Sequence, residues 1–148
     1  MWAPLTSALF IEVTMDKVNN LIYSLIAIQN FCKDLHYSVK GDAFYSKHLL
    51  ADRVQDNISD YIDRIKEVSI LGNDEQTLPS GEYLSRATSL IPEIVESDKE
   101  NFKNLENLIV NTLMGLQDME ATLGEDNLYG AIAEDLQNSL GLINRQIK

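Results

Sequence analysis

From Ala43 to Leu71 the chain runs without a glycine or a proline, and apolar residues recur along it at intervals of three and four. That spacing lines one face of an α-helix and does not suit the two faces of a strand. The same spacing returns on either side of the stretch, glycine and proline punctuate it sparsely, and no strand pattern intervenes. The chain therefore reads as all-α. A first helix is expected from Thr14, a capping residue type, to about Val39, with Val18, Ile22, Leu25, Cys32 and His36 on one stripe. Lys40, Gly41 and Asp42 make the turn into the second helix, Ala43 to Leu71, which Gly72 is suited to end.

Pro79, Gly81 and Pro92 break the next stretch, from Gly72 to about Glu96, into a long connection that leaves room for a short helix over Glu82 to Leu90. Ser97 followed by Glu100 is a capping box opening a third helix, with Phe102, Leu105, Ile109, Leu116 and Leu123 on its stripe before Gly124. A last helix carries Leu128, Ile132, Leu136, Leu140 and Ile143. Four long helices with one long link between the second and third match the up-down-down-up order of a ferritin-like four-helix bundle, because that link must cross the bundle's length. Residues 1–148 are expected to form one such domain. Residues 1–13, apolar and uncharged apart from Glu12, read as a candidate N-terminal extension, with Met15 an alternative start.

A chain of 148 residues can bury a core without covalent staples. Cys32 is the single cysteine, which excludes an internal disulfide, and no Cys/His cluster suggests zinc; a reducing, cytoplasmic setting is expected. The first residues show no signal-peptide pattern, and no apolar run reaches the roughly 20 residues that cross a bilayer. The formal net charge of −11 opposes attraction to nucleic-acid phosphates and anionic membranes and suits cations. For any one exposed carboxylate, solubility remains the blander reading.

Chemistry concentrates on the second helix. His48 and Asp52 stand four apart, as do Asp63 and Glu67, so each pair projects from adjacent turns of one face and can grip a cation. The two pairs are separated by about 16 Å of helix rise, far beyond the ~2 Å of metal–ligand bonds. One copy of the helix cannot bring both to one ion. The four positions are nevertheless symmetric about the point between Asn57 and Ile58. Two copies crossing antiparallel there would set Asp52 against Asp63 and His48 against Glu67, as an isologous twofold does, making two identical sites per pair. His36 could add a second imidazole, which would use both histidines of the chain. Imidazole with carboxylate suits ferrous iron, zinc or manganese better than copper(I) or iron–sulfur chemistry. Charges at helical spacing are more often a solvated face, and a lone His36 on an apolar stripe more often a core histidine; spacing alone leaves both readings open.

The stretch LHYSVKGDAFYSKHLLADRVQDNISDYIDRIKEVSILG, Leu35 to Gly72, resembles the signature region of Dps proteins, the small dodecameric ferritins named for protecting DNA in starved cells. That pattern has a histidine opening a His-aromatic-x-V-x-G turn, a histidine twelve residues on, an aspartate four further, then an aspartate and a glutamate eleven and fifteen beyond that. His36, His48, Asp52, Asp63 and Glu67 fit every interval. Thr77 to Leu90 looks, more loosely, like the family's short helix in the long connection.

The resemblance implies a hollow twelve-subunit shell whose ferroxidase sites sit at twofold interfaces. His36, His48 and Asp52 would come from one subunit, and Asp63 and Glu67 from its neighbour. It implies that iron is the substrate, oxidised from ferrous to ferric, typically by hydrogen peroxide, and stored as mineral, with zinc or manganese as substitutes in the site. Consuming iron and peroxide together would protect against hydroxyl radicals.

Two departures from the family stand out. Tyr37 replaces its usual Trp, and the last helix lacks its late Trp and the threonine-aspartate motif of its acidic pores. Asp126, Glu134 and Asp135 are candidates for a path leading iron inward, against the commoner reading of an exposed acidic face. DNA binding in the family commonly needs a lysine-rich tail. Here the first sixteen residues hold no Lys or Arg and the C-terminal end offers Arg145 and Lys148, so direct DNA binding is not expected. A nucleoid-binding protein with a vestigial metal site and a purely structural helical oligomer are the competing readings.

Overall fold

A computed structural model describes residues 3–148, with side chains from residue 9 onward, and is all-helical over them. The helices are α1 (Ala3–Ser38), α2 (Phe44–Gln55), α3 (Ile58–Ile65), α4 (Ser80–Thr88), α5 (Asp98–Gln117) and α6 (Leu123–Ile147). No helix among the described residues is long and apolar enough to cross a membrane.

α1 begins well before Thr14, which lies inside it and caps nothing. Between Pro4 and Gly41 no residue breaks helix, and residues 3–13 of the candidate extension are helical and continuous with α1, residues 1–2 lying outside the described residues. The expected stripe is too narrow. Beyond Val18, Ile22, Leu25 and Cys32, the residues Ile26, Ile28, Phe31 and Leu35 are also buried, because α1 packs against α2, α3, α4 and α5. A helix apolar on most sides belongs at the centre of its fold. One continuous apolar core draws on all six helices, including Val54 of α2, Ile58 and Ile65 of α3, Tyr83 of α4, Phe102 of α5 and Ile132 of α6.

The turn falls where expected, with Gly41 at φ 72° and Ala43, also left-handed, at φ 58°. The long second helix does not form as one piece. Its hydrogen-bond ladder breaks at Asp56–Asn57, where the Asp56 N–H reaches back only to the Arg53 carbonyl (3.3 Å) and Asn57 sits at φ −94°, ψ −2°. Asp and Asn compete for backbone bonds with their side chains, which weakens a helix here. After α3 the chain makes a π-turn over Lys66–Ile70 and a 3₁₀ turn over Leu71–Asn73. The left-handed terminator is Asp74 (φ 57°), not Gly72.

In the long connection α4 starts two residues earlier than expected, directly after Pro79, and buries Tyr83 and Ala87 against the core. Ser97 Oγ accepts the Glu100 N–H (3.2 Å), one half of the capping box. The third long helix ends at Gln117, short of Leu123. Leu123 opens α6 and is 89 % exposed. The reciprocal box there is Thr122 with Glu125, a T-x-x-E signal that the sequence carries but that Gly124, read as a stop, obscures.

Candidate metal centre

His36 lies in the last turn of α1 and His48 near the start of α2, and the short turn between these helices folds one ring onto the other. The two imidazoles stack with centroids 3.5 Å apart and planes 20° apart. Each Nδ1 faces the other residue's backbone carbonyl: His36 Nδ1 to His48 O at 2.8 Å, His48 Nδ1 to His36 O at 2.5 Å. A carbonyl only accepts, so both Nδ1 atoms carry hydrogen and, in the neutral rings, both Nε2 atoms carry the lone pair that binds a metal. Fixing the tautomer through the second nitrogen is how proteins orient metal-binding histidines. Phe44 meets His48 edge-on at 5.2 Å, and Tyr37 meets His36 edge-on at 5.0 Å. Tyr37 remains 83 % exposed. Both histidines are half-buried rather than sealed in the core.

Asp52, one turn beyond His48, is exposed and accepts from Gln55 Nε2 at Oδ1 (3.0 Å). Beneath it Cys32 is fully buried; burial pushes its thiol pKa up and the Asp52 charge adds to the effect, so Cys32 behaves as core. Asp63 on α3 and Glu67 in the π-turn are exposed, on the far side of the Asp56–Asn57 break. Among the described residues no three His, Cys, Asp or Glu side chains gather within one chain at metal-holding distance. The structure thus brings His36 and His48 together and leaves Asp52, Asp63 and Glu67 outside that pair.

Asp126 and Glu134 are exposed on α6, but Asp135 is not a free acidic group. Its Oδ2 accepts from Asn57 Nδ2 (3.1 Å) and from the Tyr61 hydroxyl (2.8 Å), tying α6 to the start of α3. Burial first, and this bond second, push the Tyr61 pKa up to about 12. A second polar group at the other end of α3 also escaped the sequence reading. Glu125 is buried; burial pushes its carboxyl up, but the nearby Ser69 hydroxyl and hydrogen bonds from Thr122 and Tyr129 outweigh that and hold it below the usual glutamate range. Only the capping signal Thr122-x-x-Glu125 could have flagged it.

The chain matches no protein-family model and no curated protein.

Proposed function

We propose that the chain is a mini-ferritin of the Dps type, a ferroxidase that oxidises ferrous iron and stores the ferric product as mineral inside a shell of identical subunits. In this reading α1, the α2–α3 segment, α5 and α6 make a ferritin-like four-helix bundle, with α4 in the long connection. Two copies pair antiparallel about the point between Asn57 and Ile58. Each of the two sites then takes His36, His48 and Asp52 from one copy and Asp63 and Glu67 from the other. The observation that carries the proposal is the reciprocal histidine pair, whose Nδ1 atoms are pinned to backbone carbonyls so that both Nε2 lone pairs stay free for a cation.

The donor set suits iron as substrate. Neutral imidazole nitrogens hold ferrous iron reversibly, while the carboxylates of Asp52, Asp63 and Glu67 stabilise the higher charge of the ferric product. Each ferrous ion gives up one electron. One hydrogen peroxide takes two electrons and two protons and leaves as two waters, so two ferrous ions are consumed per peroxide without releasing hydroxyl radical. The acidic surface, net charge −11, draws cations and repels DNA, so iron handling rather than DNA binding is the activity. Zinc or manganese would occupy the same donors without the oxidation.

The test is an anaerobic ferrous titration followed by peroxide. Two irons oxidised per peroxide, with ferric product retained in solution by a large assembly, is the expected result. Absence of binding together with free ferric precipitation would reduce the protein to a helical oligomer.

A further inference from the structure

Asp63 and Glu67 project from a segment whose backbone is irregular at both ends, and at both ends a side chain of α6 is attached. Upstream, at the Asp56–Asn57 break, Asp135 Oδ2 receives bonds from both Asn57 Nδ2 and the Tyr61 hydroxyl. Downstream, the π-turn holds Ser69 fully buried, with its Oγ 2.5 Å from the Tyr129 hydroxyl. Tyr129 donates onward to Glu125 Oε2 (3.0 Å), so Ser69 must be the donor to Tyr129. Glu125 Oε1 is in turn held by the Thr122 N–H and hydroxyl. The inward residues between the two attachments, Ile62 and Ile65, pack in the core, leaving the carboxylates facing out.

A π-turn adds a residue to a helical turn and is retained only where surrounding contacts hold it, often beside a functional group. Glu67 lies inside this one. Released from Tyr129, the turn could relax toward regular α-helix and rotate Glu67 away from its present relation to Asp63.

Resting on the ferroxidase reading, we propose that α6 is the positioning element of the carboxylate half-site. Asp135 sets its upstream end, Tyr129 backed by Glu125 sets its downstream end, and Asp63 and Glu67 are thereby presented to the cation at one fixed spacing and angle. Asp135, Tyr129 and Glu125 touch no metal in this scheme; they act through the segment they hold.

Titration of the full-length protein with Co²⁺, read by its visible absorption, tests this with a signal that reports ligand geometry. Tyr129→Phe and Asp135→Ala should each weaken Co²⁺ binding about 10-fold or more, as loss of groups supporting metal ligands does, and shift the absorption band. Asp135→Asn should recover most of the loss, since its amide oxygen can accept both bonds. Ile109→Val, a core change on α5 remote from α3, should lower stability and leave affinity and spectrum alone. If Asp135→Ala does not fold, Tyr61→Phe removes one of the same two bonds. Variants that bind as the parent does, while Asp63→Ala abolishes binding, would overturn this inference alone, as would equal weakening by Ile109→Val. A parent protein that takes up no Co²⁺, or Asp63→Ala protein that takes it up unchanged, would overturn the site itself and the inference with it.

Discussion

Asp63 is the residue on which the proposed chemistry turns most sharply, because it is exposed and its replacement by alanine removes a ligand without opening a cavity. Asp63→Ala should abolish rapid ferrous oxidation in a stopped-flow assay while leaving the assembly intact; unchanged oxidation would rule the interfacial site out. Two other carboxylates contribute to the acid limit of the fold. For Asp98 burial pushes the pKa up, but bonds from Lys47 Nζ (2.6 Å) and the Lys40 N–H (3.1 Å) outweigh it and hold the group below its ordinary value. Glu125 is held low in the same way. A carboxyl whose pKa falls on folding stabilises the native state above its unfolded value, about 4, and loses that contribution as the pH drops through its folded value. Helical circular dichroism should therefore fall off below about pH 4. Asp98→Asn should lower stability at neutral pH and flatten this acid limb.

Among the elements, the ends carry the most testable energies. Thr122 opens α6 with a reciprocal capping box, and Thr122→Ala should cost about 1 kcal/mol in urea denaturation. It also removes the hydroxyl bond to Glu125 Oε1 while leaving the backbone N–H bond in place, so a loss above that value is consistent with the buried network and a smaller one is not. Ala43 enters α2 in the left-handed region, where an L-residue with a Cβ pays about 1–2 kcal/mol. Ala43→Gly should raise the denaturation midpoint, because glycine adopts φ 58° without that penalty. The break in the second helix falls beside the point about which His48, Asp52, Asp63 and Glu67 are symmetric, so in the proposed pairing the angle at Asn57 would set how the two half-sites meet a second copy.

For the whole molecule, a site shared between copies makes a prediction that no single-chain site can. A chain carrying His48→Ala and Asp52→Ala should be inactive, and so should one carrying Asp63→Ala and Glu67→Ala. Unfolded together and refolded at equal amounts, half of the pairs would be mixed, each with one of its two sites intact. About a quarter of the parent ferroxidase activity should then return, as isologous pairing requires. No recovery in a refolded mixture whose mixed pairs are demonstrated by mass spectrometry would exclude the shared site.

Helicity, the Lys40–Asp42 turn and the position of α4 to within two residues all follow from local information. Apolar periodicity, proline and glycine act over a few residues, and a linear reading captures them. The same reading ran the second helix through Asp56–Asn57 and the third through Leu123, since good helical spacing masks the local Asp-Asn and Thr122-x-x-Glu125 signals there. Contacts at a distance in the chain act on the second helix, with Asp135 holding Asn57 and Tyr61 to α6 and Tyr129 meeting Ser69 in the π-turn, whereas the Thr122–Glu125 cap that opens α6 is local. The reciprocal histidine pair is a mixed case. The sequence by itself placed His36 and His48 on two helices joined by a tight turn; the tertiary fold alone set each Nδ1 against the other's carbonyl, because that requires the two helix ends to lie side by side.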